Sequence, residues 1–267
     1  MGKMDRGEYQ MSQTITLDVE KYDSFLKCLS NIKEVCTDLD LREGIIRQRS
    51  SDNTVMFEMD LTSIIGEASL PLSDLKNKFD LLKIFSGHEV EINIEEEFFT
   101  FSDEYSDIKI MSQRGQALDF MENKFVTEDE MNNIFEISED ELILEHDLDS
   151  ILTERIRIVA QSFNTTSVQV MLDGETASIK SSTQSKDQFA TFASNIITNE
   201  VIDNKFYNVA IIPFIVEHDD KINFNVYRDS ERTVASIFKT NLGEIDIKMY
   251  SRSEMISTDE EEDDSPF

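Results

Sequence analysis

Residues 147–174, DLDSILTERIRIVAQSFNTTSVQVMLDG, decide the fold that the sequence predicts. Apolar residues recur at helical spacing up to Phe163, and from Val168 to Leu172 they alternate with polar residues. The pattern therefore predicts an amphipathic helix that gives way to a strand near Asn164. On a helical wheel Arg157 lies roughly opposite the apolar stripe, so we expect it to project away from the core. The stripe consists of Leu148, Ile151, Leu152, Ile156, Val159 and Phe163.

The chain is strongly acidic, with 55 acidic and 25 basic side chains among 267 residues and a formal net charge of -30. Such a net charge argues against a protein that coats nucleic acid with its whole surface, but it does not exclude a locally basic surface. About half of the negative excess lies in residues 116–141 and 254–267. The length and the 39% apolar content are enough for two domains with hydrophobic cores.

Cysteine usage and the absence of long apolar runs indicate where the protein works. Cys28 and Cys36 are too few for a disulfide framework or a multi-cysteine metal site, and we expect both to stay reduced. No apolar run approaches the roughly 18 to 20 residues that span a bilayer, and the polar residues 1–10 resemble a disordered leader rather than a signal peptide. We therefore expect a cytoplasmic protein that has no membrane partner.

One order of elements occurs twice: strand, helix, three strands, helix, three strands. It predicts an α+β fold of two tandem domains, residues 11–115 and 141–253, with an acidic connector at 116–140 and an acidic tail at 254–267. Helices are expected at 20–32, 74–85, 147–163 and near Pro213. Strands are expected at 14–19, 35–41, 44–49, 55–64, 89–94, 98–102, 106–113, 141–145, 167–172, 176–182, 188–197, 221–227, 233–239 and 244–251. A further strand together with the short helix near Pro213 is expected within 206–217.

This organisation resembles the sliding-clamp family, the ring-shaped DNA polymerase processivity factors that include PCNA and the clamps of tailed bacteriophages. The resemblance covers Met11 to about Arg252. It rests on the two domains of equal element order, the acidic connector, the final strand GEIDIKMYSRS and the acidic tail. The segment RIVAQSFNTTSVQV, from Arg157 to Val170, looks like the helix-to-strand turn that begins the second domain in phage and PCNA members.

The resemblance implies a homotrimeric ring, closed head to tail, with antiparallel sheets outside and two helices of each domain inside. Its partners would be duplex DNA bound without sequence preference, a DNA polymerase, an ATP-driven clamp loader and other replication or transcription proteins. Basic residues on the inner helices would contact phosphates loosely enough to slide. The helical wheel places Arg155 nearer to the apolar stripe than Arg157. By position the DNA-facing residues are Lys21, Lys27, Lys76, Lys83, Arg155, Arg157 and Lys221.

Two further surfaces are implied by the resemblance. The ring would close by pairing residues 106–113 of one copy with residues 188–197 of the next. Partner proteins of the family insert a short hydrophobic peptide into a pocket under the connector, beside the final strand. The residues of this chain that match the pocket are Ile45, Met131, Ile134, Phe135, Met249 and Tyr250.

Signals for catalysis are poor. The histidines His88, His146 and His218 lie in different elements, and the chain has no glycine-rich phosphate loop. Residues 244–248 place two acids and a lysine on one face of a strand, as any amphipathic strand does. We expect no enzyme activity, no cofactor and no metal. Two other classes stay open: an acidic DNA mimic that inhibits a nucleic-acid-binding protein, and a metal-dependent nuclease that uses Asp246.

Overall fold

The protein divides into two compact units, Met1–Met131 with Leu242–Ile247, and Asn132–Asn241 with Lys248–Phe267. Antiparallel sheets and helices occur in the structure, a computed structural model, which confirms the predicted α+β class. It describes residues 13–51, 53–95, 98–111, 126–135, 142–165, 167–182, 189–194, 196–209, 222–228, 234–242, 245–252 and 254–255.

Through residue 111 the first unit has the predicted order of elements, with one additional short helix at Thr62–Ile65. Its helices are α1 (Val19–Val35), α2 (Thr62–Ile65) and α3 (Leu75–Leu82), which a 3-10 turn (Lys83–Phe85) continues. A further helix, α4 (Glu128–Phe135), lies in the predicted connector. The strands are β1 (Gln13–Leu17), β2 (Leu41–Arg42), β3 (Ile45–Arg49), β4 (Val55–Asp60), β5 (Val90–Ile94), β6 (Phe98–Ser102) and β7 (Asp107–Met111).

One sheet of the first unit has the strand order β1-β5-β6-β7, and each neighbouring pair is antiparallel. Alternate side chains of its strands are buried, because successive residues of a strand point to opposite faces. Val90 and Ile92 on β5, Phe99 and Phe101 on β6 and Leu17 on β1 are all fully buried. This face of the sheet therefore forms much of the core of the unit, and β7 lies at the edge.

Helices α1 and α3 pack against each other in opposite directions. Near the start of α1 the hydroxyl of Tyr22 donates to the carbonyl oxygen of Leu82, at the end of α3, at 2.8 Å. Near the other end of α1 the ammonium of Lys33 lies 5.1 Å from the ring centroid of Phe79. The side chain of Asp18 caps the first turn of α1. The two helices thus form one layer with a contact near each end of α1.

The strands β2, β3 and β4 are consecutive antiparallel neighbours. Gly44 turns the chain between β2 and β3 with a φ of +78°, and a Cβ added there would lie 2.2 Å from the carbonyl oxygen of Gly66. Only glycine meets both conditions without strain. This turn therefore fixes the register of the β2–β3 hairpin.

Two strands predicted in this region are partly wrong. Of the strand at 35–41, only a single bridge between Leu39 and Leu72 and the two-residue β2 form, because α1 continues to Val35. The strand predicted at 55–64 ends at Asp60, whose carboxylate accepts from the backbone N–H and the hydroxyl of Thr62 and so supports the start of α2. Local side-chain hydrogen bonds of this kind compete with strand pairing.

The remaining strands of the chain are β8 (Leu142–Leu148), β9 (Val168–Ser182), β10 (Phe189–Ser194), β11 (Ile196–Val209), β12 (Ile222–Arg228), β13 (Val234–Leu242), β14 (Ile245–Arg252) and β15 (Glu254–Met255). In the second unit one sheet has the order β10-β9-β11-β15, with β10 at its edge. β8, β12 and β13 are also antiparallel neighbours. Helix α5 (Ser150–Phe163) follows β8 and precedes β9.

Residues 147–174 form a helix followed by a strand, as predicted, but the boundaries differ. Leu148 belongs to β8, and α5 begins after Asp149, whose carboxylate accepts from the N–H of Leu152 at 2.7 Å. The two strands predicted at 167–172 and 176–182 are one strand, β9, because shifts in its register with β11 near Ile202 accommodate the irregularity around Gly174. The helix predicted near Pro213 lies outside the described residues.

Candidate functional site

Four of the predicted DNA-facing lysines lie on or next to the α1–α3 layer and are exposed: Lys21, Lys27, Lys76 and Lys83. None of them forms an ion pair with a residue that the structure describes. Lys27 stands opposite the buried side of α1, and Lys76 and Lys83 share a flank of the α3 helix and its 3-10 turn, as their spacing of seven requires. The layer therefore presents unpaired positive charge in an otherwise acidic chain.

The outward side of α3 also carries apolar groups that the sequence did not single out. Leu81 and Ile84 are 50% and 55% exposed, while Leu75, Phe79 and Leu82 form the buried side of the helix. Aliphatic side chains cannot donate hydrogen bonds to phosphate. A duplex lying on this layer would therefore form few charge-assisted hydrogen bonds with it. Such a surface suits weak contacts.

Arg157, which we expected to project away from the core, is half-buried on α5 and forms an ion pair within the helix. Its guanidinium donates to both carboxylate oxygens of Glu154, at 2.8 and 2.7 Å, and its side chain is 26% exposed. These hydrogen bonds lower the pKa of Glu154. Arg155, which the wheel placed nearer to the apolar stripe, is exposed and forms no ion pair in the described part of the chain. The accessible arginine of α5 is therefore Arg155.

The buried side of α5 differs from the apolar stripe that the sequence predicted. It is set by Thr153, Ile156 and Ala160, whereas Ile151, which the predicted stripe included, is 64% exposed. The centre of the buried side is thus rotated toward Arg157 and away from Arg155. Lys221, the remaining predicted DNA-facing residue, lies outside the described residues.

The predicted partner pocket is divided between several elements. Ile45 is half-buried on β3, Met131 is 1% exposed in α4, and Met249 is fully buried on β14. Tyr250 is half-buried beside Met249. Ile134 and Phe135 lie in α4, and their side chains are outside the described part of the structure.

Helix α4 contacts the outward side of β3 through charges that sequence reasoning missed. Arg47 donates to Glu58 on β4 at 2.6 Å and has Glu128 of α4 at 3.7 Å, while Arg49 has Glu130 of α4 at 3.4 Å. The only local signal was the alternation of arginines along β3, which places both on one face. Residues 126–130 of the predicted connector therefore contact a strand of the first unit.

The described residues contain no group of three or more histidine, cysteine, aspartate or glutamate side chains placed to hold a metal ion. His88 lies 3.9 Å from Asp103 and contacts the ring of Tyr105, which is a pair and not a ligand set. Asp246 is exposed on β14. None of the described helices is both long and apolar enough to cross a membrane.

Solved structures of clamps resemble the chain over nearly its whole length. PCNA from A. fulgidus, with the C-terminal region of FEN-1 bound, matches at a TM-score of 0.58 and 13% identity over 92% of this chain and 100% of that chain. PCNA from Entamoeba histolytica matches at 0.59 and 11%, over 91% and 98%. The PCNA2-PCNA3 complex from Sulfolobus tokodaii matches at 0.58 and 10%, over 91% and 99%.

These identities are low, and the likeness is one of fold. No family model matches the sequence, and no curated protein matches it either. The element order, the antiparallel sheets and the near-complete coverage of both chains agree with one another. The chain has the fold of the PCNA-like sliding clamps.

Proposed function

We propose that the protein is a DNA polymerase processivity factor, a sliding clamp of which three copies form a ring around duplex DNA. The ring tethers a polymerase and other replication or transcription proteins, and a clamp loader ATPase opens it. Two of the similar structures, PCNA with a region of FEN-1 and a complex of two PCNA chains, support partner binding and self-assembly. A phage source and action in the host cytoplasm are parts of the proposal.

The observation that carries the proposal is the unpaired positive charge on the α1–α3 layer. The chain has 55 acidic and only 25 basic residues, so acids are available to pair with every cation. Lys27, Lys76 and Lys83 are nevertheless exposed and without an ion pair to any described residue. A duplex can bind such a layer by releasing counterions, while the acidic remainder of the surface repels it.

The edges of the two sheets support ring closure. Among the described strands, β7 and β10 both lie at sheet edges, and they fall within the segments 106–113 and 188–197 that the resemblance implied. An edge strand presents unpaired N–H and C=O groups that can pair with another chain. Met111 at the end of β7 is 66% exposed, although it is a large apolar residue. Pairing β7 of one copy with β10 of the next would bury such groups and repeat head to tail.

The test is the salt dependence of binding to a duplex of about 40 base pairs, long enough to pass through a ring. Removing one lysine that neutralises a phosphate should lower the slope of log K against log salt by about 0.9, so the variant K27Q/K76Q/K83Q should lower it by up to roughly 2.7. The control is K180Q/K248Q, which removes two charges from strands. The control should keep the slope of the wild type.

The outcome also separates the clamp from the acidic DNA mimic. A mimic binds no DNA, and the three lysine substitutions would leave its inhibition of a nucleic-acid-binding protein intact. Equal slopes for the lysine variant and its control would contradict the proposed DNA-facing layer. Loss of polymerase processivity in the lysine variant alone would support the proposal.

A further inference from the structure

The outward face of β3 and β4 carries an arginine strip, defined as Arg47 and Arg49. Residues 45, 47 and 49 alternate with buried residues along β3, so their side chains share one face. On β4 the partners of the strip in register are Glu58 opposite Arg47 and Met56 opposite Arg49. Arg47 donates to Glu58 at 2.6 Å and Arg49 donates to the sulfur of Met56 at 3.3 Å. The face combines positive charge with apolar groups such as Ile45.

Helix α4 occupies this strip. The N–H of Val126 donates to the carbonyl oxygen of Arg47 at 3.3 Å, and the acids Glu128 and Glu130 reach Arg47 and Arg49. Thr127 and Glu130 form a reciprocal cap: the N–H of Thr127 donates to Glu130 at 2.9 Å, and the N–H of Glu130 donates to the Thr127 hydroxyl at 3.2 Å. The cap orders the first turn of α4, in which Glu128 and Glu130 lie next to the arginine strip.

The charged contacts between α4 and the arginine strip are exposed to solvent. The side chains of Glu128 and Glu130 are 68% and 49% exposed, so solvent and salt screen both ion pairs. Val126 and Met131, by contrast, are buried at 0% and 1%. Among the described side chains, the contact therefore combines two buried apolar residues with two screened ion pairs, a combination that another segment of the same chemistry could provide.

We propose that the arginine strip is a docking site for acidic amphipathic peptides of partner proteins, and that α4 is the resident segment such a peptide displaces. A peptide that complements the strip carries a carboxylate, which pairs with an arginine, next to an apolar side chain that becomes buried, as Glu130 and Met131 do in α4. This inference rests on the proposed function because Ile45 and Met131 belong to the proposed partner pocket. With α4 in place, Met131 is buried, and a partner gains the site only by moving the helix.

The test uses a fluorescein-labelled peptide copying residues 126–135, VTEDEMNNIF, added to the full chain at low salt and followed by anisotropy. The variant E128Q/E130Q weakens the resident α4, so it should bind the peptide roughly two- to thirtyfold more tightly than the wild type, the range expected for losing two exposed ion pairs. The control D80N/E95Q removes two exposed acids elsewhere and should bind as the wild type does. A peptide with glutamine at the positions of Glu128 and Glu130 should bind poorly.

A second variant tests the strip itself. R49Q should lose the added affinity when it is combined with E128Q/E130Q, and hydrogen exchange should be faster at the Val126 amide in E128Q/E130Q while the Leu72 amide stays protected. Equal peptide binding by wild type and E128Q/E130Q, or binding unaffected by R49Q, would overturn the inference. The assay needs neither DNA nor a ring, so failure of the clamp proposal and failure of the docking site give different results.

Discussion

Replacing Tyr22 by phenylalanine should measure how firmly the α1–α3 layer is held together. The hydroxyl of Tyr22 is buried and donates to the carbonyl oxygen of Leu82 at 2.8 Å. The ring also contacts Phe25 and Phe85, each at 6.4 Å between centroids, and phenylalanine can keep these contacts. The change therefore removes one hydrogen bond and leaves a buried acceptor without this donor, which costs about 1 to 3 kcal/mol.

The free energy of unfolding is best followed by far-UV circular dichroism in urea, because the chain has no tryptophan. The midpoint of the first unit should fall while the slope of the transition stays the same. Tyr105→Phe is the matched control, since this tyrosine is 74% exposed and its substitution should change stability by less than about 0.5 kcal/mol. Equal effects of the two substitutions would contradict the prediction, because the Tyr22 hydrogen bond would then contribute nothing.

Three further predictions concern single residues. In thermal melts, Gly44→Ala should destabilise the fold by more than about 2 kcal/mol, whereas Gly87→Ala should destabilise it by about 1 kcal/mol. The two differ because, of these two sites, only at Gly44 would the new Cβ meet a backbone oxygen, at 2.2 Å. Asp149→Ala should cost about 1 kcal/mol by removing the cap of α5, and Asp149→Asn should cost less. The thiol of Cys28 should react with iodoacetamide only after unfolding, because burial raises its pKa to about 12.

The sign of the Cys28 effect follows from its raised pKa. The folded state disfavours the thiolate, so the stabilisation is complete below the ordinary pKa of 9.0 and is lost as the pH rises toward 12. Modification of Cys28 in the folded protein at a pH of about 8, just below the ordinary thiol pKa, would contradict the burial. Equal losses at Gly44 and Gly87, or an Asp149→Ala variant as stable as the wild type, would contradict the other two predictions.

The sequence was sufficient to predict the helices and strands in which buried residues recur at regular spacing along the chain. In β5 and β6 the inward residues alternate without a break, and the predicted strands 89–94 and 98–102 match the observed ones within a residue. α1 was predicted for the same reason, although it runs three residues longer, to Val35. Alternation and helical spacing are properties of neighbouring residues, so no distant contact was needed to read them.

The boundaries and the charged contacts depended on distant residues. A leucine at 148 fits a helical stripe as well as a strand, and only the pairing of β8 with β12 decides for the strand. Which side of α5 is buried also depends on what packs against it: Thr153 and Ala160 are buried and Ile151 is exposed, which reverses the positions of Arg155 and Arg157 relative to the buried side. The pairing of Arg49 with Glu130 joins residues 81 apart in sequence, and no local pattern signals such a contact. The acidic connector therefore gave little sign of the helix it contains.

Single-particle imaging of the purified chain with duplex DNA, at micromolar concentration, would decide whether the protein is a clamp. We expect closed rings of three copies of the 30.8 kDa chain, with the duplex passing through the hole. Particles that stay single copies, with DNA and with a clamp loader present, would contradict the proposed function.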